Sequence, residues 1–245
     1  MYLPRYTDAQ ANQRVTLNWA ERFQQLAQTA ADPRLQQYYL RGAVTPDTPL
    51  AEVPFVAMDF ETTGLNPRKH SILSVGLVPF NLQRIRCRES RHWLVNPRKE
   101  LVEESVVFHG ITHSDIDDKP DLIQVLKPLL DAMAGAVIVV HHRSIERGFL
   151  DASLHTRLGE GIEFPVIDTL ELEARLHRRK PPGLIARLMG RKPESIRLAD
   201  SRTRYNLPYY QPHHALTDAI ATAELLQAQI ATHYSPDTPV SELWW

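Results

Sequence analysis

Residues 55–65 read Phe55-Val56-Ala57-Met58-Asp59-Phe60-Glu61-Thr62-Thr63-Gly64-Leu65, an apolar run that ends in two carboxylates and a glycine. The run predicts a buried strand, and because side chains alternate between the two faces of a strand, Asp59 and Glu61 point to the same side. Two neighbouring like charges are tolerated when a cation neutralises them or when one carboxyl stays protonated. The stretch therefore favours a metal site, with solvation of both acids at the strand end as the alternative.

Further chemistry-bearing residues follow apolar runs later in the chain. Residues 136–140 are apolar and lead into a predicted helix whose first turn holds Glu146. Residues 164–167 form another apolar run, and Asp168 at its end is expected to cap the next helix. His213 lies just before a last helix with apolar residues at helical spacing, and Asp218 lies inside that helix.

The order of the predicted elements indicates an α/β fold. Five strands are expected, near residues 54–60, 71–80, 83–95, 136–142 and 164–168. A three-stranded meander followed by strand–helix–strand units predicts a mixed five-stranded sheet with helices on its faces. Pro128 is expected to kink or end a helix over residues 121–134.

Residues 1–50 are predicted to be a helical N-terminal extension and linker, ahead of a main domain over 51–235 and a tail over 236–245. Trp19 and Phe23 belong to a helical repeat, and Asp32-Pro33 marks a second helix start. The extension is expected to pack on the domain, bind a partner or mediate self-association.

Composition excludes several classes of protein. A single cysteine among 245 residues excludes a disulfide framework, and no apolar run approaches the length of a membrane span, so a cytoplasmic protein is expected. A net charge of −1 excludes an overall basic nucleic-acid binder. Residues 178–204 nevertheless hold nine basic residues against two acidic ones, which indicates either a nucleic-acid contact or a solvated face. A second candidate contact is a set of arginines expected on one strand face: Arg84, Arg86, Arg88 and Arg91.

Taken together, the motifs over about residues 54–231 resemble the DEDD exonucleases of the His-containing subclass, typified by the epsilon proofreading subunit of bacterial DNA polymerase III. That family carries an Asp-x-Glu on its first strand, a third carboxylate after a central strand, and a His ahead of a final Asp. The matching positions here are Asp59, Glu61, Glu146, His213 and Asp218. Glu146 departs from the family's usual Asp, and helix capping is the alternative role for it.

The resemblance implies a ribonuclease-H-like fold and a 3′–5′ exonuclease that releases nucleoside 5′-monophosphates. It also implies two divalent cations, Mg²⁺ or Mn²⁺, bridged by Asp59 and completed by Glu61, Glu146 and Asp218, with His213 as general base. The residues expected to bind the terminal nucleotide are Thr62, Thr63, Gly64, Leu65, Phe108 and His109. His141 and His142 are expected to line the site or to serve structure.

The substrate stays open at this point. A single-stranded DNA 3′ end, a mispaired primer end and RNA all fit, as does a polymerase or nucleotidyltransferase partner. A weakly active or inactive nucleic-acid-binding subunit on the same fold is the alternative that Glu146 favours. A phosphodiesterase acting on small nucleotides is a more remote one.

Overall fold

A computed structural model describes residues 17–97, 109–179 and 194–245. Its centre is a five-stranded sheet in the order β3-β2-β1-β4-β5. The strands are β1 (Phe55–Thr62), β2 (Ile72–Phe80), β3 (Arg91–Leu94), β4 (Val137–Val140) and β5 (Val166–Asp168). The first three strands are antiparallel neighbours, whereas β4 runs parallel to β1 and β5 parallel to β4. The predicted mixed five-stranded sheet is confirmed.

Helices flank this sheet. Within the described ranges they are α1 (Trp19–Thr29), α2 (Pro33–Leu40), α3 (His113–Ile116), α4 (Leu122–Met133), α5 (Arg143–Leu158), α6 (Thr169–Arg179), α7 (Leu198–Arg204) and α8 (Ala215–His233). Among these helices, none combines the length and the apolar character needed to cross a lipid bilayer.

The core forms where continuous apolar strands meet the apolar faces of helices. All four residues of β4 are buried, as expected for a strand covered on both faces. Helix α8 packs on β1 and β2 through small and branched residues, including Ala219, Ala223 and Leu226. Helix α5 adds Phe149, Leu150 and Leu154 to the same core. The packing fixes both helices against the central strands.

The described part of the N-terminal extension packs on the main domain. Phe23 of α1 contacts the rings of Tyr38 and Tyr39 of α2, and all three are buried in the common core. Arg22 forms an ion pair with Glu163, whose backbone N–H donates to the Tyr39 hydroxyl. Of the three roles expected for this segment, packing on the domain is the one that the structure shows.

The chain after α8 also joins the core. Val240, Leu243 and Trp244 are buried, and Trp244 bridges to Ile167 at the outer edge of β5. Pro239 bridges to Pro49 in the segment before β1. The division at residues 50 and 235 stays a prediction, and the residues on both sides of it pack together.

One prediction about an element is wrong, and one of the two alternatives in another is excluded. The expected strand 83–95 is reduced to Arg91–Leu94, because Asn81 closes a turn with Arg84 and a 3₁₀ turn occupies Cys87–Glu89. The nearby arginines therefore do not share one strand face. Pro128 is expected to kink or end its helix, and the structure excludes the end, since α4 continues to Met133 with Leu129 and Leu130 buried. Burial of this apolar face outweighs the loss of one helical hydrogen bond.

Candidate active site

The site begins with the two carboxylates of β1. Asp59 and Glu61 lie two residues apart on the same face, while Phe60 is buried on the other. In the antiparallel pairing with β2, Asp59 lies opposite Gly76 and Glu61 opposite Ser74. Asp59 is half-buried and Glu61 is only 9% exposed, so water screens neither charge fully.

Gly76 lets the start of α8 approach this pair of carboxylates. A Cβ placed on Gly76 would lie 2.4 Å from the carbonyl carbon of Ala215, the first residue of α8. Only a residue without a side chain permits such contact between strand and helix backbones. Asp218, in the first turn of α8, is thereby held next to the carboxylates of β1.

His213 is held in place by its backbone. Its φ of 72° lies in the left-handed region, and its N–H donates to Asp218 Oδ2 at 2.8 Å. One ligand atom each from Glu61, His213 and Asp218 lie within 4.8 Å of one another. The exposed imidazole of His213 thus stands beside two carboxylates.

The fourth carboxylate comes from α5, which follows β4. Glu146 is 3% exposed, and among the described residues its Oε2 has no hydrogen-bond partner. Burial, and then the charge of Asp168, holds the pKa of Glu146 well above its usual range. Burial, followed by the charges of Glu146, Asp218 and Glu61, does the same for the pKa of Asp59. We call these four carboxylates, Asp59, Glu61, Glu146 and Asp218, the acidic centre.

The acidic centre has the properties of a cation site. Burial and the charge of Asp218 raise the pKa of Glu61 to about 8, and burial also raises the pKa of Asp218 itself. Four such groups cannot all ionise near neutral pH unless positive charge joins them. Carboxylate oxygens are hard donors, and the unpartnered Oε2 of Glu146 offers one more. The residues present therefore fit a divalent cation.

The residues expected to bind the nucleotide form the turn after β1. The Thr62 hydroxyl donates to the Gly64 carbonyl, and the Thr63 hydroxyl accepts from the Ser71 N–H, so both hydroxyls stabilise the turn itself. Gly64 has a φ of 155°, and a Cβ there would lie 2.7 Å from the His70 ring. The side chain of Leu65, at the end of this segment, is 60% exposed.

His109 lies on the other side of the site, near His213. Burial, and then the charge of His213, lowers the pKa of His109. Its Nδ1 accepts from the Ile111 N–H, whereas within the described part of the chain its Nε2 has no hydrogen-bond partner. Phe108, the other residue expected in this loop, lies outside the described residues.

Three other residues singled out from the sequence have structural contacts. Asp168 accepts from the Leu170 and Glu171 N–H groups and so caps α6, as predicted. His141 bonds the Thr169 hydroxyl and the Ile196 carbonyl, and burial lowers the pKa of His141 to about 4. His142, with a φ of 130°, precedes α5 and contacts the Ser144 hydroxyl.

Two contributors to the site were not identified from the sequence. One is Gly76, although an isolated glycine inside a strand pattern is a known signal of close backbone approach. The other is the pair His92 and His214, whose ring centroids lie 4.8 Å apart and whose His92 Nε2 contacts the Ser74 hydroxyl. No sequence signal joins residues that far apart in the chain.

The chain is similar to known proteins over most of its length. The family model RNase_T, described as "Exonuclease", matches residues 56–226. The chain is 29% identical over 182 residues to a DNA polymerase III PolC-type protein of Thermotoga maritima, covering 74% of this chain and only 12% of that protein. It is 28% identical over 181 residues to the DNA polymerase III subunit epsilon of Treponema pallidum, covering 74% and 78% of the two chains.

Among solved structures, the nuclease domain of 3′hExo, a DEDDh family member bound to rAMP, superposes with a TM-score of 0.59. The superposition covers 74% of this chain and 92% of that one, at 17% identity. At this identity the likeness shows a shared fold.

Proposed function

The chain belongs to the exonuclease family, and from this premise we propose that it is a metal-dependent 3′–5′ exonuclease. It hydrolyses phosphodiester bonds at the 3′ end of a nucleic acid and releases nucleoside 5′-monophosphates. The resemblance read from the motifs and the ribonuclease-H-like fold expected from it are both confirmed. The direction of digestion, the substrate and the mechanism are proposed here.

One observation carries the proposal: ligand atoms of Glu61, Asp218 and His213 lie within 4.8 Å of one another, and the charges of Glu61, Asp218 and Glu146 all act on the neighbouring Asp59. Each carboxylate of the acidic centre has its pKa raised, three of them through the charge of another carboxylate as well as through burial. Without cations such a cluster repels a phosphodiester and destabilises the fold. A surface that only binds nucleic acid does not need such a cluster of carboxylates. Metal-dependent hydrolysis of a phosphodiester does need one.

The four carboxylates are proposed to hold the catalytic cations. The charges of Glu61, Glu146 and Asp218 all act on Asp59, and these four carboxylates would hold the cations. Glu61, Glu146 and Asp218 complete the ligands. When bound, two Mg²⁺ or Mn²⁺ ions supply a water-derived nucleophile and stabilise the charge on the leaving 3′-oxygen.

His213 is assigned as the general base. Its exposed ring offers a nitrogen within 4.8 Å of ligand oxygens of Glu61 and Asp218, and its backbone N–H donates to Asp218. A neutral imidazole can accept a proton from the attacking water and return it to solvent. The φ of 72° at position 213 is a strained backbone conformation, of the kind that is often found at functional sites.

The terminal nucleotide is held by the turn after β1 and by the His109 loop. Leu65 offers an exposed apolar surface to a base, while Thr62, Thr63 and Gly64 shape the backbone beneath it. His109 Nε2, which has no hydrogen-bond partner among the described residues, is the atom that we propose bonds the nucleotide. We retain Phe108 as a proposed contact. Such contacts stack on a base without reading its identity.

A single-stranded DNA 3′ end is the proposed substrate, with RNA as a second substrate. The polymerase III relatives favour DNA, whereas the 3′hExo structure was solved with rAMP. The same relatives support a polymerase as partner, and a nucleotidyltransferase is the other partner proposed. The choice between sugars depends on room for the 2′-hydroxyl near the terminal nucleotide.

Digestion of a single-stranded oligonucleotide labelled at its 5′ end tests the proposal. DNA and RNA are compared with Mg²⁺, with Mn²⁺ and with a chelator, and Asp59→Ala serves as the inactive control. We expect a metal-dependent ladder that shortens from the 3′ end, together with 5′-mononucleotides on chromatography. Products that retain a 3′-phosphate, or cleavage that persists in chelator, would overturn the proposal.

A second candidate function is a nucleic-acid-binding subunit that cleaves weakly. It is favoured by Glu146, whose side chain is one methylene longer than the Asp usual at this position in the family. If the oligonucleotide stayed intact in the digestion assay but still bound to the protein in a separate binding measurement, this candidate would be selected. Cleavage of dinucleotides but not of longer strands would instead select a small-nucleotide phosphodiesterase.

A further inference from the structure

The connection between β2 and β3 carries a concentrated positive charge. Residues 84–91, which we call the arginine segment, contain four arginines and one acid, Glu89. The arginines, all exposed, are Arg84, Arg86, Arg88 and Arg91. Glu89 approaches Arg86 only at 4.0 Å, so most of the positive charge is not neutralised by it. A protein with a net charge of −1 therefore has a local cationic surface here.

A groove of about 400 Å³ joins the arginine segment to helix α8. It is lined by Ile85, Cys87, Tyr210, Thr217, Ile220 and Glu224. The one acid in this lining is occupied, since Glu224 accepts from Arg202 at 2.7 Å and from the Tyr210 hydroxyl at 2.9 Å. The groove thus offers apolar and aromatic surface beside arginines, and Tyr209 nearby in the chain is 79% exposed.

The groove and the acidic centre involve neighbouring residues of α8. Thr217 lines it, and the next residue is Asp218. The Thr217 N–H and hydroxyl contact His214 Nδ1, and the His214 ring lies 4.8 Å from that of His92, which follows Arg91. His92 pairs with Gly76, and Gly76 pairs with Asp59. Two strand spacings therefore separate His92 from Asp59, about 10 Å.

The chemistry of this surface fits a single-stranded nucleic acid. Arginines beside aromatic and apolar side chains hold a phosphate backbone while bases lie on the rings. Positive charge near the acidic centre also offsets the repulsion between its carboxylates and an incoming phosphate. Neither an acidic peptide nor a second copy of this chain requires a surface that continues into a hydrolytic site.

We propose that the arginine segment and the adjoining groove bind the nucleotides upstream of the scissile bond, with the strand passing His92 and His214 to reach Asp59. This inference rests on the proposed exonuclease function. It identifies the substrate as a strand of several nucleotides. The terminal nucleotide touches the acidic centre, and the arginine segment holds the phosphates that precede it.

The test compares two variants that each change the net charge by −2. The first is Arg84→Gln with Arg88→Gln, in the arginine segment. The control is Arg41→Gln with Lys127→Gln, two exposed groups that pair with Asp131 ahead of β4. Both replace exposed side chains, for which stability changes of about 0.5 kcal/mol or less are usual. Each protein is assayed on a 12-nucleotide DNA strand and on the p-nitrophenyl ester of thymidine 5′-monophosphate.

For the arginine-segment variant we expect KM on the strand to rise about tenfold at low salt, with turnover of the ester equal to that of the parent. Binding of the labelled strand, measured by fluorescence anisotropy in chelator, should lose about 1.4 from its slope against log salt, or about 0.7 for each phosphate contact removed. The control variant should match the parent in all three measurements.

Parental KM and salt slope in the arginine-segment variant would overturn the inference while leaving the exonuclease proposal intact. An equal loss in the control variant would also overturn it, because net charge would then be the cause. If the parent hydrolyses neither substrate, the exonuclease proposal fails, and the anisotropy comparison still decides whether this surface binds nucleic acid.

Discussion

Gly76 and Ala215 touch backbone to backbone, so closely that a Cβ on Gly76 would lie 2.4 Å from the Ala215 carbonyl carbon and oxygen. This contact lies directly beside Asp59, the β1 partner of Gly76. It sets how near the first turn of α8, with Asp218, comes to the carboxylates of β1. The geometry of the acidic centre therefore depends on an absent side chain.

Gly76→Ala should displace α8 and damage activity more than stability. Overpacking of this kind costs about 1–3 kcal/mol of unfolding free energy. A ligand displaced by about 1 Å can cost about 100-fold in turnover. Denaturant unfolding and oligonucleotide digestion measure the two effects.

The matched control is Gly148→Ala in α5, where the new Cβ would lie 3.5 Å from Pro67, an ordinary contact. Alanine is the better helix former by about 1 kcal/mol, so this variant should be as stable as the parent or more so. Equal activity of Gly76→Ala and the parent would show that α8 is not positioned by this contact.

Asp59→Ala should abolish cleavage and leave the fold intact. The substitution removes the carboxylate on which the other three acids of the centre converge, and with it a source of repulsion in the metal-free protein. We expect a loss of turnover beyond 1,000-fold, about 4 kcal/mol in transition-state stabilisation. Thermal unfolding in chelator should show an unchanged or higher midpoint. Asp237→Ala, at an exposed site, is the control. If Asp59→Ala turned over substrate as fast as the parent, the acidic centre would be misassigned.

Glu146→Asp tests whether the longer side chain is a ligand in its own right. Its Oε2 is buried and has no hydrogen-bond partner among the described residues. If it is a ligand, a shorter carboxylate reaches the same cation only after a small shift of α5. We expect activity within about tenfold of the parent, corresponding to about 1.4 kcal/mol. Glu146→Gln, which keeps the length but removes the charge, should lose far more. The reverse order of the two variants would indicate a role based on shape or helix capping.

The sequence predicted the parts of the site that depend on local pattern. Alternation along β1 is enough to place Asp59 and Glu61 on one face, and helical spacing is enough to place Asp218 in a helix. The mixed five-stranded sheet also followed, because a meander and parallel crossover units have few possible arrangements. The nearness of Glu146 to Asp59 depended on the family resemblance.

Contacts between distant segments could not be predicted in the same way. The pairing of His92 with His214 depends on how α8 sits over β2, which no local pattern encodes. The expected strand over residues 83–95 failed because Asn81 accepts from the Gln83 and Arg84 N–H groups and turns the chain early. The turn places the arginines beside the groove of α8.

The metal-free protein should lose stability as the pH rises. The folded pKa of Glu61 is about 8, against an ordinary value of 4.5, so folding favours its protonated form. The stability that this contributes is fully present below about pH 4.5 and is lost as the pH rises through 8. Asp59, Glu146 and Asp218 have pKa values raised in the same direction and add to the loss.

Thermal unfolding between pH 5 and 8.5, in chelator and in Mg²⁺, measures this dependence. We expect the midpoint in chelator to fall across the range and Mg²⁺ to raise it most at the alkaline end, where the ionised centre binds the cation best. Glu61→Gln should flatten the profile in chelator, whereas Glu52→Gln, at an exposed position, should leave it unchanged. A midpoint in chelator that rises with pH would mean that the carboxylates of the centre are stabilised in their charged form by protein groups, and no cation would then be needed to hold them together.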